Sequence, residues 1–374
     1  MSASGGIVLK HRPPEQTLHK PRGASVANLK IKKGTFLCGN VPYTLLEIFN
    51  FHRNGGAALA LWRQIYFLIA RICRLLQFVS MNNFSGVWTA LVTPMTELGV
   101  DYDALKDLVE AQIRGGVSGL VSVGTTGESP TLDPVEHIVT IRKTIEFAKG
   151  RVPVLAGTGA NCTKEAVHLT READEAGADG FLIVAPYYNK PSQEGVYLHM
   201  CEIAKCTKKP IMLYSIPGRC GIEILNDTAL RLSRAYPNFR VMKEAGGKVE
   251  KVADFCAKAQ GAMDVLSGDD GLTVEFMKAG ASGVVSVASN LIPETMVKLV
   301  ELCRQKNWSE AEALNAKLAG FFKALFIEPN PVPAKTAMAL AGMIGNPYVR
   351  LPLCKMSDGN LEILKGELKK IGLI

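Results

Sequence analysis

From residue 85 onward, one pattern recurs eight times: a short apolar run, a polar or glycine-rich exit, and an amphipathic helical stretch. Alternation of this kind is typical of strand–helix units on a parallel sheet. Eight units of about 25 residues each match a closed (β/α)8 TIM barrel far better than an open sheet. The predicted strands cover residues 87–92, 119–123, 152–156, 180–184, 211–214, 240–242, 264–266 and 283–287.

Helical patterns separate and follow these strands. Between the strands they cover residues 102–114, 134–149, 164–176, 192–205 and 249–259. After the eighth strand only helical patterns remain, at residues 293–305, 309–326, 333–341 and 358–371. We therefore predict a barrel at residues 81–305 and a C-terminal helical appendage at residues 306–374.

Residues 1–80 form a basic N-terminal extension of a different character. Residues 1–56 lack sustained periodicity and contain Pro13-Pro14 and Gly55-Gly56, so we predict that they are largely unstructured. Residues 57–79 carry basic side chains on one face at helical spacing and apolar side chains on the other, which predicts an amphipathic helix.

Three interpretations of this helix are open. Its uncharged run at residues 64–70 is too short to span a bilayer, so at most the helix lies on a membrane surface. The scarcity of acidic residues also suits a transit peptide. The third interpretation is that translation begins at Met81, and we favour it.

Charge, cysteine and histidine usage exclude several classes of protein. The net charge of +8 belongs to the extension, because the other 294 residues hold 32 basic and 33 acidic side chains. A region in which basic and acidic side chains balance lacks the excess positive charge that binds nucleic acid. The nine cysteines include no Cys-x-x-Cys pair, which predicts reduced thiols and a cytoplasmic protein. The six histidines are scattered, so we expect no metal site.

Lys243 lies at the predicted end of the sixth strand, after apolar residues and before small ones. Active sites of such barrels lie at the C-terminal ends of the strands, so this lysine belongs at the rim of a partly dry pocket. Burial disfavours the ammonium form, lowers the pKa and frees the amine to condense with a ketone as a Schiff base. The alternative is a strand-end lysine in a surface salt bridge.

Other strand exits carry groups that suit this chemistry. The second strand leads into Gly-Thr-Thr-Gly at residues 124–127, where backbone N–H groups and two hydroxyls favour a small carboxylate. The fourth precedes the pair Tyr187-Tyr188, and the fifth ends at Tyr214, with Arg219 on the following loop. Each alone has a plainer interpretation: a capping turn, a core tyrosine, a solvated arginine. Together they can form an imine, move protons and bind a carboxylate.

These motifs in combination resemble the dihydrodipicolinate synthase family, within the superfamily of pyruvate-dependent Schiff-base aldolases and N-acetylneuraminate lyase. The resemblance runs from about residue 83 to residue 374, and Ser215 departs from it because many members have asparagine there. It rests on Gly-Thr-Thr-Gly-Glu at 124–128, Tyr-Tyr-Asn-Lys-Pro at 187–191, Tyr-x-x-Pro-x-Arg-x-Gly at 214–221, Lys-Glu-Ala at 243–245 and Ser-Gly-Asp-Asp at 267–270.

The resemblance implies a reaction and a role for each matching residue. The reaction would be that of a 4-hydroxy-tetrahydrodipicolinate synthase, which condenses pyruvate with L-aspartate 4-semialdehyde in the diaminopimelate route to lysine, without a metal or organic cofactor. Lys243 would form the Schiff base, and the proton relay would comprise Tyr214, Thr125 and Tyr188 from a neighbouring subunit of a homotetramer. Substrate would be held by Thr126 at the pyruvate carboxylate, Arg219 at the second carboxylate, and the backbone of Gly268 and Val285.

The resemblance also implies feedback inhibition by lysine at a subunit interface. Pro134 departs from lysine-sensitive relatives, and proline cannot donate a hydrogen bond, so we expect weaker binding. The alternative is that these are ordinary polar interface residues. The matching residues are Ser129, His137, Asn161, Glu165 and Tyr187.

Two other functions are open on the sequence alone. A sibling class I aldolase, such as N-acetylneuraminate lyase or a keto-deoxy sugar-acid aldolase, would share the fold and the lysine, although Gly-Thr-Thr-Gly-Glu together with Arg219 favours the synthase. A non-catalytic barrel could act as a scaffold or sensor. Borohydride with pyruvate separates these classes, because only an imine-forming enzyme gains mass.

Overall fold

Eight parallel strands close into a barrel, as the sequence predicts. The computed structural model describes the backbone of residues 31–38 and 41–48, and residues 84–374 in full. Around the barrel each strand pairs with the next in the chain, and the last pairs with the first. The barrel strands are β3 (Gly86–Ala90), β6 (Gly119–Ser122), β7 (Val154–Gly157), β8 (Gly180–Val184), β9 (Ile211–Ser215), β10 (Phe239–Glu244), β11 (Asp264–Ser267) and β12 (Gly283–Ser286); a small antiparallel pair, β4 (Met95–Thr96) and β5 (Gly99–Val100), follows β3.

Helices cover the outside of the barrel, and polar caps fix several of their starts. Asp101 accepts a hydrogen bond from Ala104 N, and Asp133 accepts from the first two free N–H groups of its helix. The helices between strands are α1 (Tyr102–Arg114), α2 (Pro134–Ala148), α3 (Thr163–Glu175), α4 (Gln193–Lys205), α5 (Pro217–Cys220), α6 (Asn226–Ala235), α7 (Val249–Ala259) and α8 (Thr273–Lys278). None of α5, α6 and α8 was predicted from the sequence, and the prediction that Arg219 lies on a loop was wrong, because Arg219 belongs to the short helix α5.

The core fills the barrel and the layer between strands and helices. All five residues of β9 are buried, and so are those of β3, β6, β7 and β12. Parallel strands covered on both faces need near-continuous apolar runs, which explains why they carry no alternating pattern. Several strands end on a serine, but β10 ends on two charged residues, Lys243 and Glu244.

The C-terminal helices are α9 (Pro293–Arg304), α10 (Trp308–Ala324), α11 (Val332–Leu340) and α12 (Asp358–Lys370). A fully buried ion pair joins α11 to the loop after β6: Lys335 Nζ lies 2.7 Å from Glu128 Oε1. Glu128 Oε2 also accepts a hydrogen bond from Arg350 N, at 3.1 Å. Removing one partner of a buried pair leaves an uncompensated charge and is strongly destabilising. The appendage thus braces a barrel exit loop; the boundary between residues 305 and 306 stays a prediction.

Within the N-terminal extension the structure describes one hairpin, which is a compact unit by itself. Strand β1 (Ile31–Cys38) pairs antiparallel with β2 (Val41–Ile48), from Ile31 opposite Ile48 to Cys38 opposite Val41. The sequence analysis predicted no strand there. Its signal was two runs rich in β-branched and aromatic residues on either side of Gly39-Asn40. The predicted helix at 57–79 lies outside the described residues.

No helix in the described part of the chain combines the length and the apolar character needed to cross a bilayer.

Candidate active site

Lys243 is buried inside the barrel beside a tyrosine. Strand β10 continues to Glu244, one residue further than Lys243, and Lys243 pairs in register with Tyr214 of β9. Its Nζ lies 4.1 Å from the centroid of the Tyr214 ring, and the residue is 5% exposed. The alternative of a surface salt bridge is therefore wrong for this lysine, because the side chain is enclosed.

The surroundings of Lys243 favour the neutral amine. Burial is the main cause that lowers the pKa of Lys243, to about 7; the carboxylate of Asp270 acts to raise it, and the positive charge of Arg219 acts to lower it. A lysine with a pKa near 7 holds a large share of free amine at neutral pH. It can therefore act as a nucleophile without a separate base.

Tyr214 and Thr125 are joined by a hydrogen bond between their side chains. Burial raises the pKa of Tyr214 to about 12, although the nearby charge of Arg219 and the hydrogen bond with Thr125 act in the opposite direction. The phenol is therefore protonated at neutral pH. Each hydroxyl can accept one proton while donating another, which lets the pair pass a proton next to the lysine.

A cavity of about 210 Å³ opens at this rim of the barrel. Residues from the exits of β6, β7, β8 and β9 form its wall, as expected if the C-terminal ends of the strands hold the site. Side chains predicted for catalysis, for substrate binding and for lysine binding meet there. They are Thr125, Ser129, Tyr187, Tyr214 and Arg219, together with Cys220, which the sequence analysis did not select.

Asn330 connects two predicted substrate-binding residues, and the sequence analysis missed it. Its Nδ2 donates to Thr126 Oγ1 at 3.0 Å, and its backbone carbonyl accepts from Arg219 Nη2 at 3.5 Å. Asn330 precedes α11 in the C-terminal region, so the appendage contributes directly to the site. Its position between two prolines was the only local signal.

Gly268 leaves room for the side chain of Lys243. A Cβ at this position would lie 2.7 Å from Ala245 Cβ and 3.2 Å from Lys243 Cε. Gly268 N also donates to Glu244 O at 2.7 Å, which holds the exit of β11 against β10. Val285 is buried in β12. The predicted backbone contacts of Gly268 and Val285 with substrate stay predictions.

Asp270 appears in the sequence analysis only as part of a motif, and no role was predicted for it. Its Oδ2 accepts from Val287 N at 3.0 Å and from Ala288 N at 2.9 Å. Burial raises the pKa of Asp270 to about 6, against a hydrogen bond with Ser286 and the two N–H groups. The carboxylate thus holds the loop after β12 in place. Its negative charge also acts to raise the pKa of Lys243.

Tyr188 stands apart from the other predicted residues. It is 89% exposed and has a left-handed backbone, with φ at +71°. No hydrogen bond or ring contact in the described part of the chain joins it to Tyr214 or Thr125.

The residues predicted to bind lysine lie around Tyr187, at the wall of the cavity. Asn161 Nδ2 donates to Tyr187 O at 3.2 Å. Burial raises the pKa of Tyr187, and the nearby negative charge of Glu165 also acts to raise it. His137 is buried with Nε2 2.8 Å from Gly157 O, and burial lowers its pKa. It is thus held neutral by the barrel itself.

In residues 84–374 no group of three or more histidine, cysteine, aspartate or glutamate side chains could hold a metal ion. The seven cysteines of this part of the chain are free thiols.

Comparisons with known proteins place this arrangement among synthases. The model of the dihydrodipicolinate synthetase family matches residues 83–371. A 4-hydroxy-tetrahydrodipicolinate synthase from Persephonella marina is 45% identical over 291 residues, which are 78% of this chain and 99% of the relative. The chloride-inhibited dihydrodipicolinate synthase from Acinetobacter baumannii, solved in complex with pyruvate, is 42% identical with a TM-score of 0.76, covering 78% of this chain and 100% of that one. A synthase from Cyanidioschyzon merolae with lysine bound is 36% identical with a TM-score of 0.76, covering 78% and 99%.

Proposed function

The chain belongs to the dihydrodipicolinate synthetase family, and we propose that it condenses pyruvate with L-aspartate 4-semialdehyde as a 4-hydroxy-tetrahydrodipicolinate synthase of lysine biosynthesis. The observation that carries the proposal is the buried Lys243 amine, whose pKa is about 7, next to the hydroxyl pair of Tyr214 and Thr125. The named relatives favour the synthase over a sibling aldolase.

The first step joins Lys243 to pyruvate. The amine attacks the ketone carbon, the carbonyl oxygen takes up a proton, and water leaves the carbinolamine to give an iminium ion. Tyr214 and Thr125 supply and remove the protons, because the phenol is neutral at pH 7 and its hydroxyl partner can relay. A positively charged iminium draws electrons from the adjacent methyl group and thus acidifies it.

The pyruvate carboxylate needs donors near the lysine. We place it at the turn of Thr125 and Thr126, where a glycine-rich strand exit presents N–H groups and hydroxyls. Thr126 is buried and receives the Asn330 amide at 3.0 Å, which leaves its own O–H free to donate towards an anion.

The second half of the reaction uses the aldehyde. Loss of a methyl proton gives an enamine, whose carbon attacks the aldehyde of the second substrate, and the aldehyde oxygen takes up a proton. The amine of that substrate then attacks the iminium carbon, closes the ring and displaces Lys243 as free amine. Arg219 lines the cavity and would bind the distal carboxylate as a charge-assisted pair. The iminium is the electron sink, so the chemistry calls for no other cofactor.

We propose a homotetramer in which Tyr188 completes the relay of a neighbouring subunit. Its 89% exposure and its strained backbone support a role outside its own chain. The free thiols support a reducing compartment, and we propose the cytoplasm.

We further propose that lysine inhibits the enzyme by binding near Tyr187. A carboxylate at Glu165 suits the ammonium group of lysine, and Asn161 suits its carboxylate end. The relative from Cyanidioschyzon merolae binds lysine, which supports such a site. Tyr187 adjoins Tyr188, so a ligand that fixes one ring can disturb the other. Pro134 occupies the first turn of α2 and offers no donor, so binding should be weak.

Borohydride trapping tests the proposed function. Wild-type protein incubated with pyruvate and borohydride should gain the mass of one reduced pyruvate adduct per chain, mapped to Lys243. Lys243→Ala should gain none and lose several orders of magnitude in turnover, and Lys243→Arg should do no better because guanidinium stays charged. Labelling of Lys243→Ala would refute the assignment. Efficient cleavage of sialic acid by the wild type would favour the sibling aldolase instead.

A further inference from the structure

Lys251 lies behind the catalytic strands and contacts two carboxylates. It belongs to α7, and its side chain is only 11% exposed. Its Nζ lies 2.8 Å from Glu244 Oε2, in an ion pair that lacks hydrogen-bond alignment, and 3.1 Å from Glu223 Oε2. Glu244 is itself buried, and its Oε1 accepts from Gly246 N at 2.6 Å.

The same ammonium group reaches the strand that carries Tyr214. Lys251 Nζ donates to Ile224 O at 3.0 Å and lies 3.4 Å from Ser215 Oγ. Ser215 Oγ in turn accepts from Ile224 N at 3.2 Å. The segment of residues 216–224, which includes Arg219, is therefore held at both ends by the contacts between Lys251, Ser215 and Ile224.

The register places this point directly behind the reacting groups. Glu244 pairs with Ser215, one residue after Lys243 pairs with Tyr214. Successive side chains of a strand point to opposite faces, so Lys243 and Tyr214 face the barrel interior while Glu244 and Ser215 face α7. Neither Glu244 nor Lys251 is among the charges that shift the pKa of Lys243. Lys251 thus contacts the outer face of these strands and the segment that carries Arg219, not the reacting groups themselves.

We propose that Lys251 is a positioning residue for the condensation step: it fastens β9, β10 and residues 216–224 together, so that Arg219 holds the second substrate at a fixed place relative to Lys243. The inference rests on the proposed function. Since β9 and β10 also pair through their backbones, imine formation with pyruvate depends little on Lys251. The Arg219 segment has no such ladder, so use of the aldehyde depends on it strongly.

The test separates the two substrates. Lys251→Met alone would leave Glu244 buried and unpaired, so it is combined with Glu244→Gln, which keeps an acceptor for Gly246 N. We expect the double variant to form the pyruvate adduct at the wild-type rate. Its kcat/KM for aspartate semialdehyde should fall on the order of 10- to 100-fold, because small displacements of a positioning group have effects of that size. Lys251→Arg, with Glu244 unchanged, should retain most of the wild-type kcat/KM for the aldehyde.

Lys258→Met is the matched control. Lys258 belongs to the same helix and is also ion-paired, 2.9 Å from Asp254, but it is 47% exposed and its ion pairs are with Asp254 and Asp227. Lys258→Met should change neither the rate of pyruvate adduct formation nor kcat/KM for the aldehyde. Should the double variant fail to fold, Glu223→Gln takes its place, since Glu223 is 29% exposed and its loss leaves the Glu244 pair intact. Glu223→Gln should also lower kcat/KM for the aldehyde and leave pyruvate adduct formation unchanged.

Two results overturn the proposal: an unchanged kcat/KM for the aldehyde, or equal losses in adduct formation and condensation. Failure of the proposed function looks different, because then the wild type itself forms no adduct with pyruvate.

Discussion

Gly268→Ala tests whether close packing of the β11 exit holds Lys243 in place. The added Cβ would lie 2.7 Å from Ala245 Cβ, 3.1 Å from Glu244 O and 3.2 Å from Lys243 Cε. Non-bonded carbon atoms prefer about 3.5–4.0 Å, so the methyl group overlaps Ala245 by about 1 Å. All three contacts are with residues 243–245, at the end of β10 that carries the lysine. The overlap can be relieved only by moving Gly268 or residues 243–245.

The size of the effect follows from that displacement. Inserting a methyl group into a packed region costs about 1–3 kcal/mol of folding free energy. A shift of about 1 Å at a reacting group costs about 100-fold in rate. Such a loss corresponds to about 2.7 kcal/mol of activation free energy.

The assay combines urea unfolding with the rate of borohydride-trapped adduct formation. Gly366→Ala is the control: this glycine lies inside α12, where an added Cβ meets no atom within 4 Å. The control should stabilise the protein by about 0.5–1 kcal/mol and leave trapping unchanged. If Gly268→Ala forms the adduct at the wild-type rate, contact with Gly268 does not position the lysine and the reasoning fails.

Four further predictions follow from the same site. Arg219→Ala should raise KM for aspartate semialdehyde by about 10- to 100-fold, since a charge-assisted contact contributes about 1.5–3 kcal/mol, and should leave pyruvate trapping intact; equal losses for both substrates would contradict this. The rate of imine formation should rise with pH through about 7 and level off above it, because the Lys243 amine loses its proton there; a stopped-flow profile that is flat across that range would refute a free-amine nucleophile. Lysine titrated into the steady-state assay should inhibit partially, and Glu165→Ala should remove the inhibition; no effect at millimolar lysine would exclude the site. Ultracentrifugation at assay concentration should show a tetramer, and a fully active monomer would rule out a relay through Tyr188.

Much of the fold and the grouping of the candidate active-site residues could be predicted from sequence because the signals are local. Runs of buried strand residues and amphipathic helices repeat along the chain, and their order alone implies a barrel. In a parallel barrel all strand ends meet at one rim, so Thr125, Tyr214, Arg219 and Lys243 could be grouped before any distance was known. Strand ends were less certain, since β10 continues beyond Lys243. The hairpin β1–β2 was missed because its proline- and glycine-rich surroundings masked two short runs.

Only the tertiary structure decided which groups support that centre. Asn330 reaches Thr126 across 204 residues of sequence, and Lys335 reaches Glu128 across 207. Lys251 looked like an ordinary helix lysine until Glu244 and residues 216–224 were brought to it. The sequence by itself determined which side chains lie at the strand ends, because the pattern of apolar and polar residues reflects whether each residue is buried. The sequence could not determine which distant polar groups pair with each other. Such pairs depend on how the strands and helices pack, and the residues next to either partner in the sequence give no sign of the pairing.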